Sequence, residues 1–228
     1  MGLENQMIKT VIKVGGSLGQ SRKLADLMRH LSALGPSHGI LVVPGGGAFS
    51  NAIREYDRRF SLDPDASHWM AILAMDQFGH LISSLIPNSE LVQGLAEARK
   101  VLAARRVPVL LTYNLLFQTD ELPRSWDVTA DSIAAWVAGL SGAQQLVLLK
   151  SVDGLFSDDP HSHAGVELLE KLDPNQLIRC QGVDRYFASI LKKYSLDVWI
   201  VNGKHPERLT QLLDTGITKG TYLKRSDF

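Results

Sequence analysis

The sequence predicts a single α/β domain, a three-layer α/β/α sandwich on a mostly parallel central sheet, spanning residues 1–228. Three observations carry this expectation. Short continuous apolar runs, such as residues 40–43 and 146–149, have the length and composition of strands covered on both faces. They alternate along the chain with segments whose apolar residues recur at helical spacing, the order that builds a parallel sheet with helices on its faces. No internal repeat, low-complexity tract or long linker divides the 228 residues, a length that suits one large domain with a sizeable core.

The opening strand, residues 7–14, carries one lysine, Lys13, and breaks into Gly15-Gly16-Ser17. A lysine in a buried strand needs an anion against its ammonium, because an unpaired interior charge is costly enough to shift its pKa. Phosphate suits that role, since glycines let backbone N–H groups close around an oxyanion. Taken alone, an ordinary strand end with Lys13 snorkelling to the surface accounts for these residues equally well.

Residues 22–34 place Leu24, Leu27, Met28, Leu31 and Leu34 at helical spacing, with Gly35-Pro36 and Gly39 expected to end the helix. Residues 40–43 then read as a second strand and imply a parallel crossover. This strand runs into Pro44-Gly45-Gly46-Gly47 and a helix carrying Ala52, Ile53, Tyr56 and Phe60. A glycine run between a strand and a helix N-terminus offers N–H donors and a positive dipole end, a second anion cradle. A plain glycine-rich turn is the simpler account, and neither loop matches the P-loop or dinucleotide-binding pattern.

Residues 67–86 form a long helix that is apolar on every side, so more than one face should be covered, a second copy of the chain being one candidate. Asp76 is an isolated carboxylate within it and must find a partner: a cationic substrate group, a structural arginine or a helix end. His68 and His80 read as packing or surface residues, with no second ligand at i+4. Leu91-Val92 is a short strand, residues 95–106 a helix with basic residues at its end, and residues 108–111 another buried strand. Residues 113–124 read as an irregular surface excursion. Asp127 or Thr129 is placed to cap a helix over residues 133–140, with Asp131 near its start. That acid either complements the helix dipole or orients catalytic lysines or a metal.

Residues 145–150 repeat the opening device, an apolar strand ending in Lys150, and residues 151–160 follow as a loop. Charge at the carboxyl end of a parallel strand is where open α/β sheets bind ligands. His161 and His163, near Asp158 and Asp159, read as solvent-exposed. A helix over residues 183–194, a strand over 197–201, a helix opened by Pro206 and running to Leu213, and an edge strand over 220–223 complete the chain.

Composition narrows the function classes. With 45% hydrophobic and 21% charged residues the chain is an ordinary globular protein. Lys+Arg and Asp+Glu both number 24, so no general field draws it to nucleic acid or anionic lipid, and a small-molecule partner is expected. Cys180 is the single cysteine, which excludes an intrachain disulfide framework and fits a reducing compartment. Residues 1–6 lead into no signal-like apolar core, and no apolar run nears the ~18 residues that span a bilayer. A cytoplasmic protein without a membrane partner is the expectation.

Five stretches, in order over almost the whole length, resemble the amino acid kinase family. They are Lys13-x-Gly15-Gly16-Ser17; Gly45-Gly46-Gly47; Thr129-Ala130-Asp131-Ser132-x-Ala134; Lys150-x-Val152-Asp153-Gly154-Leu155-Phe156-x-x-Asp159-Pro160; and Val201-Asn202-Gly203 with Gly220-Thr221. The resemblance implies ATP-dependent phosphoryl transfer onto a carboxylate, carbamate or phosphate oxygen, with Mg²⁺ on the nucleotide. It implies that Lys13 neutralises charge on the transferred group and that Gly15, Gly16, Ser17, Gly45, Gly46 and Gly47 hold phosphate or substrate. Asp131 would position Lys13 and its neighbours. Lys150, Ser151, Asp153, Gly154, Phe156, Asp159 and Pro160 would form the nucleotide loop. The acceptor would bind the part up to about residue 140 and ATP the part from about residue 141, in a homo-oligomer.

The chain also departs from the family pattern. Many members carry a Gly-Gly-Met-x-x-Lys segment whose lysine touches the nucleotide phosphates, where this chain has Gly182-Val183-Asp184-Arg185-Tyr186-Phe187. Lys150 or Arg185 is left to compensate. Ala48-Phe49-Ser50-Asn51 follows the glycine run, without the histidine found there in isopentenyl phosphate kinases. Pro44-Gly45-Gly46-Gly47-x-Phe49, the helix through His68-Trp69-Met70, and Cys180-x-Gly182-Val183-Asp184 resemble the branch that converts 5-(aminomethyl)furan-3-ylmethyl phosphate to its diphosphate in methanofuran or methylofuran biosynthesis. On that reading Asp76 faces the aminomethyl cation. Isopentenyl phosphate, an acylamino acid and uridylate stand as alternative acceptors, and a non-catalytic nucleotide- or oxyanion-binding protein as the alternative outside enzymes.

Overall fold

The computed structural model describes residues 7–158, 166–172, 174–177, 180 and 182–227. Asp159, Pro160, His161 and His163 lie outside the described residues. Among the described residues seven strands form one sheet in the order β3-β4-β2-β1-β5-β6-β7. They are β1 (Thr10–Val14), β2 (Ile40–Pro44), β3 (Ser89–Val92), β4 (Val107–Leu110), β5 (Gln145–Lys150), β6 (Asp197–Asn202) and β7 (Thr221–Leu223). Every pairing is parallel except the edge pair β6–β7. The helices are α1 (Leu24–His38), α2 (Gly47–Phe60), α3 (Pro64–Leu85), α4 (Leu95–Ala103), α5 (Thr112–Thr119), α6 (Ala130–Ser141), the single turn α7 (Pro174–Leu177), α8 (Phe187–Tyr194) and α9 (Pro206–Thr215).

Alternation along the strands creates two cores, one on each face of the sheet. Val11 and Leu148 point to the face covered by α6 and α8, where Trp136 and Phe187 are fully buried. Ile12, Val14, Val147 and Leu149 point to the other, packed with Leu27, Met28 and Leu31 of α1 and Leu209 and Leu212 of α9. Helix α3 serves both: Ile72 and Met75 join the first core, Phe78 and Ile82 the second. This shared duty accounts for two of its apolar sides, while Leu73 and Leu81 remain exposed.

Two expectations need correction. Helix α1 does not stop at Gly35-Pro36; it carries Pro36 within its last turn and ends at Gly39, whose φ of 56° is the left-handed conformation that glycine adopts without strain. Pro36 is tolerated because it sits near the end of the ladder, where little helix is left to disrupt. Residues 113–124 are not irregular throughout, since α5 occupies Thr112–Thr119. Its sequence lacks a capping residue at Leu111, and the cap comes from far away in the chain, through Asp76.

Candidate active site

Register explains how two distant lysines meet. In the β1–β5 pairing Lys13 lies level with Leu148, and Lys150 stands two residues farther on, so all three share a face. That face meets the start of α6, whose first turn carries Asp131. Lys13 Nζ lies 2.9 Å from Asp131 Oδ1, and Lys150 Nζ donates a hydrogen bond to Oδ2 at 2.7 Å. Lys13 approaches off the hydrogen-bonding direction, so Oδ1 has an ion pair but no hydrogen-bond donor among the described residues. Burial opposes the charge on Asp131, but the two ammonium groups overcome it and hold the carboxyl at about 2. Burial pulls Lys150 below the usual lysine range; Asp131 opposes that shift and neighbouring Lys13 adds to it.

Asp184 braces this cluster from the side. Its carboxylate accepts from the backbone N–H groups of Thr129 and Ser132, both at 3.0 Å, and from their two hydroxyls. It therefore caps α6 in trans, a task that Asp127 and the Thr129 side chain do not perform. Burial raises its pKa, with the bonds from Ser132 and Thr129 working against the rise.

The two glycine turns pack backbone against backbone beside the lysines. A Cβ on Gly16 would fall 2.0 Å from the Gly47 nitrogen, so no larger residue fits there. Their donors divide into two groups. Gly15 N–H donates to Leu149 O and Gly45 N–H to Val14 O, which extends the sheet and removes these two from the expected phosphate cradle. Gly16 opens a short 3-10 turn, and Gly46 and Gly47 begin α2, so their N–H groups stand outside the helical ladders. Ser17 Oγ donates to Ser151 Oγ at 3.3 Å, closing the gap between the first turn and the loop after β5.

These groups open into a cavity of about 650 Å³. Lys13, Lys150, Gly16, Gly46, Gly47 and Ser151 line it at the edge of the sheet, and Ile72, Met75, Val128 and Ile133 supply apolar wall. Arg54, Asp57, His68, Arg124 and Trp126 also line it, and the sequence did not single out four of these five. Arg54 lies over the Trp126 ring at 4.7 Å, and Trp126 Nε1 donates to Asp57 at 2.7 Å. Arg124 is engaged by Asp65 and Asp120. Burial, followed by the Arg124 charge, lowers the His68 pKa, so its imidazole is neutral near pH 7. The available signal was Arg54 and Asp57 one turn apart on a helix whose exposed face is otherwise unremarkably polar, which does not stand out in one sequence.

Other expected residues are placed elsewhere. Asp76 does not line the cavity; it accepts from Thr112 N–H at 2.6 Å, Thr112 Oγ1 at 3.2 Å and Tyr113 N–H at 3.3 Å. It is the cap of α5 rather than a group facing substrate, and burial raises its pKa against those bonds. Asp153 bonds to Arg208 at 2.6 Å, Lys219 at 2.8 Å and Asn202 at 2.9 Å, which hold its carboxyl far below the usual range although burial acts the other way. Gly154 packs on Thr221, and Phe156 bridges to Leu168. Arg185 is 89% exposed and faces Asp127 at 3.8 Å, away from the cavity lining.

The model of the amino acid kinase family matches residues 9–206. The chain belongs to the amino acid kinase family. A [5-(aminomethyl)furan-3-yl]methyl phosphate kinase from Methanocaldococcus jannaschii is 28% identical over 206 residues, covering 90% of this chain and 92% of that protein. A uridylate kinase from Methanosarcina barkeri is 25% identical over 230 residues, covering 92% and 93%. The crystal structure of uridylate kinase from Archaeoglobus fulgidus superposes with a TM-score of 0.74 at 23% identity, covering 94% and 99%, which shows the shared fold. This amino acid kinase is an ATP-dependent phosphotransferase acting on a small molecule.

Proposed function

We propose that the enzyme transfers the γ-phosphoryl group of ATP to a phosphate monoester, [5-(aminomethyl)furan-3-yl]methyl phosphate, giving its diphosphate. The observation that carries this reading is the pairing of Lys13 and Lys150 on one buried carboxylate beside two glycine turns whose N–H groups at Gly16, Gly46 and Gly47 stand outside the helical ladders. Cations and N–H donors gathered in this way suit phosphate oxygens on both reactants. The relative at 28% identity is named for this acceptor, and the uridylate kinases likewise for a phosphate monoester.

The chemistry asks little of the protein beyond placement. A monoester dianion already carries the attacking lone pair, so no general base is required. One of its oxygens bonds to the γ-phosphorus, the bond from that phosphorus to the β,γ-bridging oxygen breaks, and ADP leaves with the electron pair. Lys13 stabilises the charge on the phosphoryl group in transit, and Gly16, Gly46, Gly47 and Ser17 hold phosphate oxygens. Lys150 holds the nucleotide phosphates in place of the late lysine other members carry, and Asp131 keeps both ammonium groups in position. Ser151 and the loop that Asp153, Gly154 and Phe156 shape support the nucleotide, which binds the part from about residue 141. Among the described residues no three His, Cys, Asp or Glu side chains gather as a metal site, so Mg²⁺ would rest on the nucleotide phosphates and offset their charge.

A panel of acceptors tests the proposal: the aminomethylfuran monoester, uridylate, isopentenyl phosphate and acetylglutamate, each with ATP. ADP release together with the furan diphosphate, at a kcat/KM above the other three, is expected. Turnover confined to acetylglutamate would sink the monoester reading, and a preference for uridylate would replace the furan acceptor.

A further inference from the structure

We propose that Asp57 is the ammonium-binding group of the acceptor site, so that the enzyme selects a phosphate monoester carrying a primary amine over a neutral one of the same shape. The inference rests on the monoester reading above and names what that reading leaves unassigned, a partner for the aminomethyl cation once Asp76 is committed to α5.

Charge on the cavity wall singles out this residue. Among the described residues lining the cavity, four carry basic side chains, Lys13, Arg54, Arg124 and Lys150, and one is a carboxylate, Asp57. Asp131, Asp65 and Asp120, which pair with Lys13, Lys150 and Arg124, are not part of that lining, so Asp57 is the one carboxylate an entering ammonium group meets there. Asp57 is also held in position before any ligand arrives. Ser67 Oγ donates to Oδ1 at 2.8 Å and Trp126 Nε1 donates to Oδ2 at 2.7 Å, one bond to each oxygen. A carboxylate has about four acceptor positions, so each oxygen keeps room for a further donor. Ser67 is buried at 3% exposure, which makes that anchor a fixed one.

The span is appropriate too. Gly47 and Asp57 lie ten residues apart on α2, a rise of about 15 Å. A phosphate at the helix N-terminus, a five-membered ring with two one-carbon arms, and an ammonium bonded to Asp57 fill a distance of that order. Trp126, pinned by its N–H to the same carboxylate and covered on one face by Arg54, lines the cavity beside Asp57.

The test compares wild type and Asp57→Asn on two synthetic acceptors, the aminomethylfuran monoester and its hydroxymethyl analogue, with ATP. Wild type should favour the amine by about 30-fold in kcat/KM, the scale of one charge-assisted hydrogen bond. Asp57→Asn should bring that ratio to about threefold or less by raising the amine acceptor's KM, with the KM for ATP and turnover of the analogue unchanged. Asp57→Ser, which keeps an oxygen for the indole N–H without the charge, should do the same. Retention of the ratio in both variants, or equal losses on both acceptors, overturns the role of Asp57 and spares the monoester reading. So does a wild type indifferent to the amine. Failure of wild type on both monoesters overturns the acceptor reading and this inference with it.

Discussion

Two aspartates at the same edge of the sheet are each gripped by two cations, and only the cations of the first line the cavity. Asp131 sits between Lys13 and Lys150 at 7% side-chain exposure; Asp153 sits between Arg208 and Lys219 at 25%. Both carboxyls are held below their ordinary range by those partners. Local composition therefore does not separate a reaction centre from a brace. What separates them is the neighbourhood: the glycine turns beside the first, and α9 with the end of β6 around the second.

The sharpest way to break the comparison is to remove a cation from each cluster. Lys13→Ala should lower kcat by about 10³-fold, the range for loss of a charge that stabilises a developing anion, while the far-UV CD spectrum is retained. Arg208→Ala should leave kcat within about twofold, because its role is to tie α9 to the loop after β5. Comparable losses of kcat in the two variants would erase the distinction.

Asp131→Asn comes next, with an expected fall in kcat of about 10²-fold as the lysines lose their common anchor. The alkaline limb of the pH–rate profile should move to lower pH, because Asp131 raises the pKa of a Lys150 already lowered by burial. Stability should follow the carboxyl. Its folded value of about 2 lies below the ordinary 3.8, so its contribution is complete above pH 3.8 and is lost as pH falls towards 2. Urea midpoints of wild type and variant should therefore converge across that window.

How much of this could be read from the sequence differs between the two halves of the cavity. Lys13, Asp131 and Lys150 announce themselves, since a charge within or beside an apolar strand has few innocent explanations, and strand register then brings them together. Gly15 and Gly45 looked like their neighbours but spend their N–H groups on the sheet, a division that only the ladder decides. Arg54 and Asp57 carry no such mark: polar residues on a helix with a solvated face look the same whether or not a cavity lies behind them, and Trp126 lies in a turn ahead of α6. Asp76 failed in the opposite direction. It was conspicuous inside an apolar helix, but its partner is the first turn of α5, in a segment whose helix the sequence did not reveal. Asp76→Ala should accordingly cost about 1–2 kcal/mol of stability through the lost cap, seen as a lower Tm, with the KM values for acceptor and ATP moving together. A rise confined to the acceptor KM would return Asp76 to the substrate.

The smallest effect is expected at Asp153, and it is the more informative for being small. Its three partners come from β6, α9 and the segment before β7, so the carboxylate joins three elements at that end of the sheet. Asp153→Asn keeps one acceptor oxygen for Asn202 or Arg208 and removes the charge. Because the group is partly exposed, solvent screening limits the stability loss to about 1 kcal/mol or less. kcat should stay within about twofold, and any change should fall on the KM for ATP, through the loop that begins at Ser151. A large loss of kcat with ATP affinity intact would mean that the second cluster acts on the reacting phosphates as well, and burial beside the glycine turns would no longer mark the catalytic carboxylate.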